Sequence, residues 1–470
     1  MKKRSTVNAV EIIDLGAKGK VIGKKDGEVF LTTNAVPGDV VSIEVRRKKK
    51  GLKEGVVTEF ETISPDRVEA VCKHFSNCGG CNWQNLDYAK QIEHKERNVL
   101  QQIRRIAGIS DFQAEPILGA EHIYNYRNKL EFTFVSERWL TPEEIRSEEE
   151  IVKGPALGFH VPGRFDWVLH VDQCHLQNDE HNAIRNFIYE EAVKLSISFY
   201  HPRKQSGTMR NLVLRNNRAG EWMVLLIVKE KSEAVRNLSK LILSAFPKIQ
   251  SFWLIENQKV NDSYSDCPSE LISGKKHIIE SFARPASGEH VHFLIGPKSF
   301  FQTNPYQAER LYQTVYQWSD IQPEDVVYDL YTGTGSIALF VADRAKKLVG
   351  IEYVPEAISD ANENAALNNI KNCSFFAGDM KDILTAEFIS EHGKPDVLIT
   401  DPPRAGMHAD VVERILQAEP KRIVYVSCDP ATQARDLAML KSKYKLVKTQ
   451  AVDMFPHTSH AENIALLALI

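Results

Sequence analysis

Short apolar runs alternate with glycine-containing turns over the first 63 residues. They include "KGKVIG", "GEVFLT" and "VVSIEV", and a Pro-Gly turn precedes the last of these. Short, regularly spaced strands of this kind are typical of a small barrel of the oligonucleotide-binding type. We therefore predict an N-terminal β-barrel domain over residues 1–64.

The region 65–297 mixes helical and strand-like patterns. "LDYAKQIEHKERNVLQQIRRIAG" has the periodicity of an amphipathic helix, and Gly108 closes it. We expect this helical segment, about 91–119, to pack on the C-terminal domain. The later runs "LEFTFVS", "NLVLRNN", "EWMVLLIVK" and "SFWLIEN" read as strands. The pattern predicts a central α+β domain.

From residue 298 to the end, residue 470, strand and helix patterns alternate regularly. This alternation is the mark of a doubly wound parallel sheet. The predicted fold is therefore multidomain: an N-terminal β-barrel, a central α+β domain and a C-terminal α/β domain of the Rossmann-like kind. No internal repeat interrupts this order.

The composition of the chain bears on its expected location in the cell. Of the 470 residues, 43% are hydrophobic and 26% are charged, as in soluble globular proteins. The apolar runs are too short to span a membrane, and the N-terminus lacks the apolar core of a secretory signal. We expect a cytoplasmic protein with no membrane contact.

The net charge of −3 hides a basic N-terminal region. Residues 1–53 hold 13 Lys or Arg against six Asp or Glu, and five of the cations form the run 46–50, "RRKKK". A basic lobe on a near-neutral protein fits a polyanionic partner such as a nucleic acid. An ordinary solvated face accounts for the charge equally well.

Several acidic residues follow predicted strands of the C-terminal domain. Gly333 and Gly335 form a turn after the first strand, and Glu352, Asp379 and Asp401 end later ones. Each carboxylate alone is more simply a turn or helix-cap residue. Together on one sheet edge they suit a cationic nucleoside such as S-adenosylmethionine. A dinucleotide fits less well, because the third glycine of its fingerprint is absent.

The stretch "RIVYVSCDP" presents a thiol at a turn. Arg422 to Ser427 read as a buried strand, counted as the fourth of the sheet, and Cys428 follows it. Glu462 follows downstream in "HAEN". A thiolate can add to carbon 6 of uracil and activate carbon 5 toward a methyl donor, and a carboxylate can then remove the carbon 5 proton. A core role for Cys428 and a surface role for Glu462 are the simpler alternatives.

Three other cysteines form a cluster, Cys72-x5-Cys78-x2-Cys81. Three thiolates within ten residues can hold one face of a metal site, and the neighbouring glycines let backbone amides reach the sulfurs. With a fourth thiolate from elsewhere, such a site could hold an iron–sulfur cluster. A zinc ion is the main alternative, because four thiolates suit both. Cys267 and Cys373 belong to no motif, and we expect them to be structural.

Five motifs together resemble one family, the iron–sulfur RNA (uracil-5-)-methyltransferases that carry an N-terminal TRAM domain. The motifs are "FFQTNP", "DLYTGTGS", "TDPPRAG", "VSCDP" and "HAEN". The resemblance extends over essentially the whole chain. It implies that the barrel is a TRAM domain, that the central domain holds a [4Fe-4S] cluster, and that the C-terminal domain is an S-adenosylmethionine-dependent methyltransferase.

The resemblance also assigns roles to individual residues. Cys428 matches the nucleophile and Glu462 the proton acceptor, and Cys174 supplies the fourth ligand to the cluster beside Cys72, Cys78 and Cys81. The positions that match contacts to S-adenosylmethionine are Gln302, Tyr331, Ser336, Glu352, Asp379 and Asp401. Phe300 and Asp401 match contacts to the uracil. Tyr331 stands where phenylalanine is common, and Ser336 where some members have asparagine.

The expected substrate is a uridine in single-stranded or loop RNA, because a stacked base cannot present carbon 6 to a thiol. By resemblance, 23S ribosomal RNA is the first candidate and uridine-54 of transfer RNA is the second. Phe300 and Phe301 are candidates for stacking on the base, although an aromatic pair more often belongs to the core. We expect a monomer. The rival functions are a DNA cytosine-5 methyltransferase, an amino-methyltransferase and a non-catalytic iron–sulfur RNA-binding protein.

Overall fold

The structure is a computed structural model that describes residues 5–16, 19–49, 51–148, 151 and 153–470. Lys50, the last residue of the basic run, lies outside the described residues. No helix in the described ranges is long and apolar enough to cross a membrane.

The N-terminal strands close into a barrel, as predicted. Its strands, in the order β1-β2-β3-β5-β4, are β1 (Thr6–Leu15), β2 (Val21–Lys25), β3 (Glu28–Thr32), β4 (Val40–Lys49) and β5 (Leu52–Thr62). Alternating apolar side chains fill the interior, among them Val10, Phe30, Val41 and Ile43, all fully buried. The last four residues of β4, residues 46–49, are exposed cations.

A long helix then leads to a single strand. Helix α1 (Tyr88–Gln102) begins where the Asp87 carboxylate accepts the Ala89 N–H at 2.9 Å. It continues through a π-helical turn, Ile103–Ala107, and ends at Gly108, whose φ of 63° suits a residue without a β-carbon. Strand β6 (Gln113–Leu118) follows. The helix and its closing glycine confirm the sequence prediction, whereas the π-helical turn was not foreseen.

The central region is built on a seven-stranded sheet of order β13-β12-β11-β10-β7-β8-β9. Its elements are β7 (Lys129–Val135), α2 (Pro142–Arg146), β8 (Ala156–His160), β9 (Val168–His170), α3 (Asp179–Lys194), β10 (Met209–Asn216), β11 (Trp222–Val228), α4 (Glu233–Ala245), β12 (Ile249–Glu256) and β13 (Ser269–Gly274). The four strand-like runs of the sequence analysis correspond to β7, β10, β11 and β12.

A hairpin, β14 (Ile278–Ala283) and β15 (His290–Ile295), leads into the last region. The helices there are α5 (Pro305–Ser319), α6 (Ser336–Val341), α7 (Pro355–Leu367), α8 (Met380–Ile383), α9 (Ala386–His392), α10 (Ala409–Ala418) and α11 (Pro430–Leu440). The strands are β16 (Val326–Leu330), β17 (Lys347–Glu352), β18 (Cys373–Ala377), β19 (Val397–Thr400), β20 (Arg422–Ser427), β21 (Tyr444–Val452) and β22 (Glu462–Leu469).

These strands form an eight-stranded sheet of order β18-β17-β16-β19-β20-β22-β21-β6. The first five in that order are parallel, which confirms the predicted Rossmann-like architecture. Two details differ from expectation. β20 is the fifth parallel strand along the chain rather than the fourth, because β18 is also a parallel strand of this sheet. The edge strand β6 comes from before the central sheet and pairs in parallel with β21.

Candidate active site

The site lies at the edge where the parallel strands end. β16 pairs with β17 on one side and β19 on the other up to its last residue, Leu330. Tyr331, Glu352 and Asp401 therefore occupy the next level on three neighbouring strands. This edge, next to the point where the strand order reverses, is where open α/β sheets bind ligands.

Cys428 and Glu462 are brought to this edge by the register of one antiparallel ladder. In the β20–β22 pair, Ser427 lies opposite Asn463, so Cys428 and Glu462 are the next opposed positions outward. The Asp429 carboxylate accepts the Ala431 N–H at 2.9 Å and starts α11 there. The thiol is thereby held in the turn between a strand and a helix, as the sequence predicts.

The Glu462 side chain is almost completely buried. Burial, reinforced by the charge of Asp401, raises the pKa of Glu462 to about 8. Burial likewise raises the pKa of Asp401 to about 7. A carboxyl group with a pKa near the working pH can accept a proton and release it again, which is what a general base requires.

The Cys428 thiol is partly buried. Burial first, and then the charges of Glu462 and Asp401, raise its pKa to about 11, while the Arg404 guanidinium acts in the opposite direction. Arg404 also opposes the rise in the pKa of Glu462. A cationic ligand in this site would favour the ionised forms of all three groups.

The turn after β16 has an unusual backbone. Tyr331, Gly333 and Gly335 all have positive φ, at 62°, 56° and 77°. This conformation is ordinary for glycine but strained for a tyrosine, and such strain is concentrated at ligand sites. The Glu352 carboxylate accepts the N–H of Gly333 at 3.1 Å and that of Val354 at 3.0 Å. It retains acceptor capacity for a ribose hydroxyl.

The other predicted cofactor contacts lie around this turn or on adjoining segments. Ser336 opens α6, and its hydroxyl hydrogen-bonds to the Tyr312 hydroxyl at 2.7 Å. Asp379 caps α8 by accepting the Lys381 N–H at 3.2 Å. Gln302 precedes α5, and its backbone carbonyl accepts the Asn128 side-chain amide at 3.0 Å. Asp379 is therefore a helix-cap residue, which is the simpler of the two roles considered for it, in addition to being a candidate cofactor contact.

The two phenylalanines before Gln302 lie in different environments. Phe300 is 72% exposed, so its ring is available to a substrate. Phe301 is buried against Phe282 and Phe293 at ring distances of 5.7 Å. The expectation that Phe301 stacks on a base is therefore wrong, since its ring belongs to the core.

Sequence reasoning missed two charged groups at this edge. Asp329 is buried in β16, accepts the Thr332 hydroxyl at 2.6 Å, and has its pKa raised to about 7, chiefly by burial. An acid inside the apolar run "VVYDL" was the available signal. Arg404 stands in the quoted motif "TDPPRAG", but nothing in the pattern indicated that its charge would reach Cys428.

The segment 453–461, which leads into Glu462, is held by side chains at two helices, α1 and α5. Lys95 of α1 donates to Asp453 at 2.5 Å in a pair that is almost fully buried, and Tyr88 donates to the other carboxylate oxygen at 2.8 Å. The Asn304 amide donates to the Met454 carbonyl at 3.0 Å. Helices α1 and α5 thus fix the approach to Glu462.

The same segment is bonded to the cysteine-rich loop. The His457 carbonyl accepts the backbone N–H groups of Asn82 at 2.8 Å and Trp83 at 3.0 Å. The His457 N–H donates to the Gln91 side chain at 2.9 Å, and His457 has a positive φ of 63°. One strained residue therefore connects the loop after Cys81 with the strand that begins at Glu462.

The four cysteines Cys72, Cys78, Cys81 and Cys174 line one cavity of about 370 Å³. The Gly80 N–H points to the Cys78 sulfur at 3.4 Å. Burial raises the pKa of all four thiols, to about 12 for Cys78 and Cys81. In the described part of the chain, no three His, Cys, Asp or Glu side chains are close enough to hold a single metal ion.

Comparison with known proteins gives consistent matches. A family model described as tRNA (uracil-5-)-methyltransferase matches residues 271–469. A protein of Bacteroides thetaiotaomicron named as an uncharacterized RNA methyltransferase is 48% identical over 97% of this chain and all of its own length. A protein of the same description from Porphyromonas gingivalis is 45% identical over 97% of this chain and 99% of its own length.

One solved structure is similar over nearly the whole length. It is the Pyrococcus abyssi tRNA (uracil-54, C5)-methyltransferase in complex with S-adenosyl-L-homocysteine. The match covers 98% of this chain and 100% of that chain, with 28% identity and a TM-score of 0.74.

Proposed function

This chain belongs to the RNA (uracil-5-)-methyltransferases, and from that premise we propose that it methylates a uridine through a covalent bond between Cys428 and carbon 6. S-adenosylmethionine is the methyl donor. The observation that carries the proposal is the opposed placement of Cys428 and Glu462 beyond the β20–β22 ladder, beside Asp401.

The reaction proceeds in three steps. The Cys428 thiolate adds to carbon 6, and the electron pair of the 5,6 double bond moves into an enolate. Carbon 5 then attacks the sulfonium methyl group and releases S-adenosylhomocysteine. Glu462 removes the carbon 5 proton, the double bond re-forms, and the carbon–sulfur bond breaks to return the thiolate.

The surrounding residues have distinct parts in this proposal. Glu352 holds the ribose, and Gln302, Tyr331, Ser336 and Asp379 complete the cofactor pocket. Asp401 interacts with both the cofactor and the uracil, while the exposed Phe300 ring stacks on the flipped base. The strained turn at Tyr331 and the raised pKa values of Asp401 and Glu462 support this pocket.

We assign the four-cysteine cavity to a [4Fe-4S] cluster. The donor set fits, because four thiols line one cavity and a backbone amide reaches a sulfur. The thiolates of Cys72, Cys78, Cys81 and Cys174 would hold the cluster and would thereby connect the 72–81 loop with Cys174, and methyl transfer requires no electron from it.

The division into a TRAM barrel (1–64), a central cluster domain (65–297) and a catalytic domain (298–470) is part of the same proposal. The exposed cations of β4 contact RNA phosphates. We expect a cytoplasmic monomer.

The substrate RNA has two candidates. We propose 23S ribosomal RNA, and the Pyrococcus abyssi neighbour makes uridine-54 of transfer RNA the second candidate. Mapping 5-methyluridine in RNA from a deletion strain separates them, because only the true target loses its methyl group.

The reaction itself is tested by transfer of a radiolabelled methyl group. Uracil-containing RNA, cytosine-containing DNA and a reaction without nucleic acid are compared. Label in RNA alone, recovered as 5-methyluridine, supports the proposal. Label in DNA, or in a different nucleoside of the RNA, contradicts it.

A further inference from the structure

A groove of about 640 Å³ lies between the barrel and the segment that leads into the cysteine-rich loop. One wall is formed by β5 and the chain that follows it, through Val56, Phe60 and Ile63. Val68 and Phe75 contribute to the opposite wall. This groove shares no residue with the edge of the C-terminal sheet that holds Cys428 and Glu462.

The walls of the groove expose apolar side chains to an unusual degree. Val56 and Phe60 are each 40% exposed, Val68 is 41% exposed and Ile63 is 63% exposed. Four such residues within 13 positions of the chain form a contiguous patch, and patches of this kind mark binding surfaces. Folding alone gives no reason for them to be there.

A fixed cation lies against this patch. The Arg67 guanidinium is 4.6 Å from the centre of the Phe60 ring. Arg67 is held in place by the Asp39 carboxylate, at 3.2 Å from Nε to Oδ1, and by the Asn34 carbonyl at 3.2 Å. A guanidinium plane beside an aromatic face is a surface on which a nucleobase stacks.

Polar groups line the groove beside this pair. The side chains of Asn34 and Ser76 are exposed, and neither forms a side-chain hydrogen bond with a described residue. Both residues have positive φ, at 65° and 74°, so the backbone turns sharply at each. An amide and a hydroxyl in these positions can hydrogen-bond to the edges of a base.

The groove lining holds one acid, Glu69, beside the paired Arg67, and the cations that indicate the occupant lie further along the same hairpin. The β4–β5 hairpin that carries Val56 continues to a tip where Arg47 pairs with Glu54 and Lys48 with Lys53 in the ladder. Among the described residues, no acid lies within ion-pair distance of Arg47, Lys48 or Lys49, although the charges of Arg47 and Lys49 help to lower the pKa of Glu54. In the ladder these cations lie opposite residues 52–54, which are two to four positions along β5 from Val56 and six to eight positions, roughly 20–25 Å, from Phe60. A row of cations on the same hairpin as an aromatic groove suits a polyanion with unstacked bases.

We propose that this groove binds one or two unstacked bases of the RNA substrate, stacked against Phe60 and Arg67, while residues 47–49 of the hairpin hold phosphates a few nucleotides further along the same RNA strand. The inference rests on the proposed function and deepens it. It gives the enzyme a second contact with RNA, remote from the methylated uridine, that selects among uridines in similar loops.

The test compares Phe60→Ala and Phe60→Trp with wild type on a full-length RNA substrate. We expect Phe60→Ala to weaken RNA binding about tenfold and to raise KM with little change in kcat, since a stacked base is lost. Phe60→Trp should retain wild-type affinity. Phe165→Ala is the matched control, because Phe165 is 74% exposed and lies outside the groove.

A second readout uses RNA that contains 5-bromouridine. Photocrosslinking should attach the RNA to the peptide that contains Phe60, and the Phe60→Ala variant should lose this product. Equal RNA affinity for Phe60→Ala and wild type would overturn the proposal. So would a change in oligomeric state or in protein binding with no change in RNA affinity.

The proposed function and the groove fail in different ways. If wild type transfers no methyl group to uracil in RNA, the function is wrong whatever the variants do. If wild type is active and binds RNA as tightly as Phe60→Ala does, the function stands and the groove proposal is wrong. Thermal unfolding of each variant checks that its fold is intact.

Discussion

Cys428 and the four cysteines of the central cavity place the same functional group in contrasting surroundings. In both places burial raises the thiol pKa, to about 11 for Cys428 and about 12 for Cys78 and Cys81. The neighbours differ. The charges of Glu462 and Asp401 help to raise the pKa of Cys428, and the charge of Arg404 acts to lower it. The pKa values of Cys78 and Cys81 are raised further by the other cysteines of the cavity.

In the proposed roles, neighbouring groups rather than burial distinguish the reactive thiol of Cys428 from the metal-binding thiols of the cavity. A thiolate that must form and then break a carbon bond needs a proton acceptor within the same pocket. Thiolates that hold metal permanently need one another and a backbone amide. The His457 carbonyl connects the two regions, because it accepts hydrogen bonds from the loop after Cys81 and belongs to the segment before Glu462.

Removal of the reactive thiol gives the largest expected effect. Cys428→Ala should lower methyl transfer by at least about a thousandfold, since no covalent activation of carbon 5 remains. Affinity for S-adenosylmethionine, measured by calorimetry, should remain. Cys267→Ala is the control, because that thiol is buried but belongs to neither region. Near-normal turnover of Cys428→Ala would remove Cys428 from the mechanism.

Removal of binding thiols should act on metal content before activity. Cys78→Ser combined with Cys81→Ser should yield a colourless protein without iron. Its thermal midpoint should fall by several degrees, because metal binding contributes to folding, and its RNA affinity should decrease. Cys373→Ser should keep the iron and the colour. A colourless double variant with full activity and unchanged unfolding would show that the cavity has no such role.

The segment that carries His457 can be loosened at the buried pair of Lys95 and Asp453. Lys95→Met leaves the Asp453 carboxylate buried without its partner, which costs roughly 3–5 kcal/mol. The midpoint of urea unfolding should fall accordingly, and Lys95→Met with Asp453→Leu should recover part of the loss. Lys90→Met, on the exposed side of the same helix, should leave the midpoint unchanged. Equal midpoints for Lys95→Met and Lys90→Met would contradict a structural role for the pair.

The smallest effect is the pH dependence of the elimination step. Glu462 is protonated below its raised pKa of about 8 and cannot accept the carbon 5 proton in that form. Elimination should therefore speed up by about tenfold per pH unit below that value and level off above it. Decay of the covalent adduct in a single turnover measures this step directly. A rate that falls as the pH rises from 6 to 8 would exclude Glu462 as the base.

Local patterns were enough to predict much of this molecule. Short apolar runs between glycine-containing turns identified the barrel strands, and the run from Arg422 to Ser427 corresponds to β20 at both ends. The spacing of Cys72, Cys78 and Cys81 indicated that these three thiols lie together, and they do line one cavity, whereas Cys174 was expected there only from the family resemblance. These features depend on neighbours in the sequence, where periodicity and turn residues carry the information.

Contacts between residues that are far apart in the sequence could not be predicted from such patterns. Lys95 and Asp453 are 358 residues apart, and nothing near either residue indicates a buried pair. The addition of β6 to the edge of the C-terminal sheet depends on pairing with β21, which a local pattern does not specify. Phe301 is buried because Phe282 and Phe293 surround it, although its motif alone equally suits a substrate contact.

The central claim, that Cys428 bonds to uracil and Glu462 releases it, is tested most directly by trapping the intermediate. Glu462→Gln enzyme is incubated with substrate RNA and S-adenosylmethionine, digested with nuclease and protease, and analysed by mass spectrometry. We expect a methylated uridine attached to the peptide that contains Cys428, which wild type does not accumulate. Free 5-methyluridine formed at the wild-type rate, or an adduct on another residue, would contradict the account.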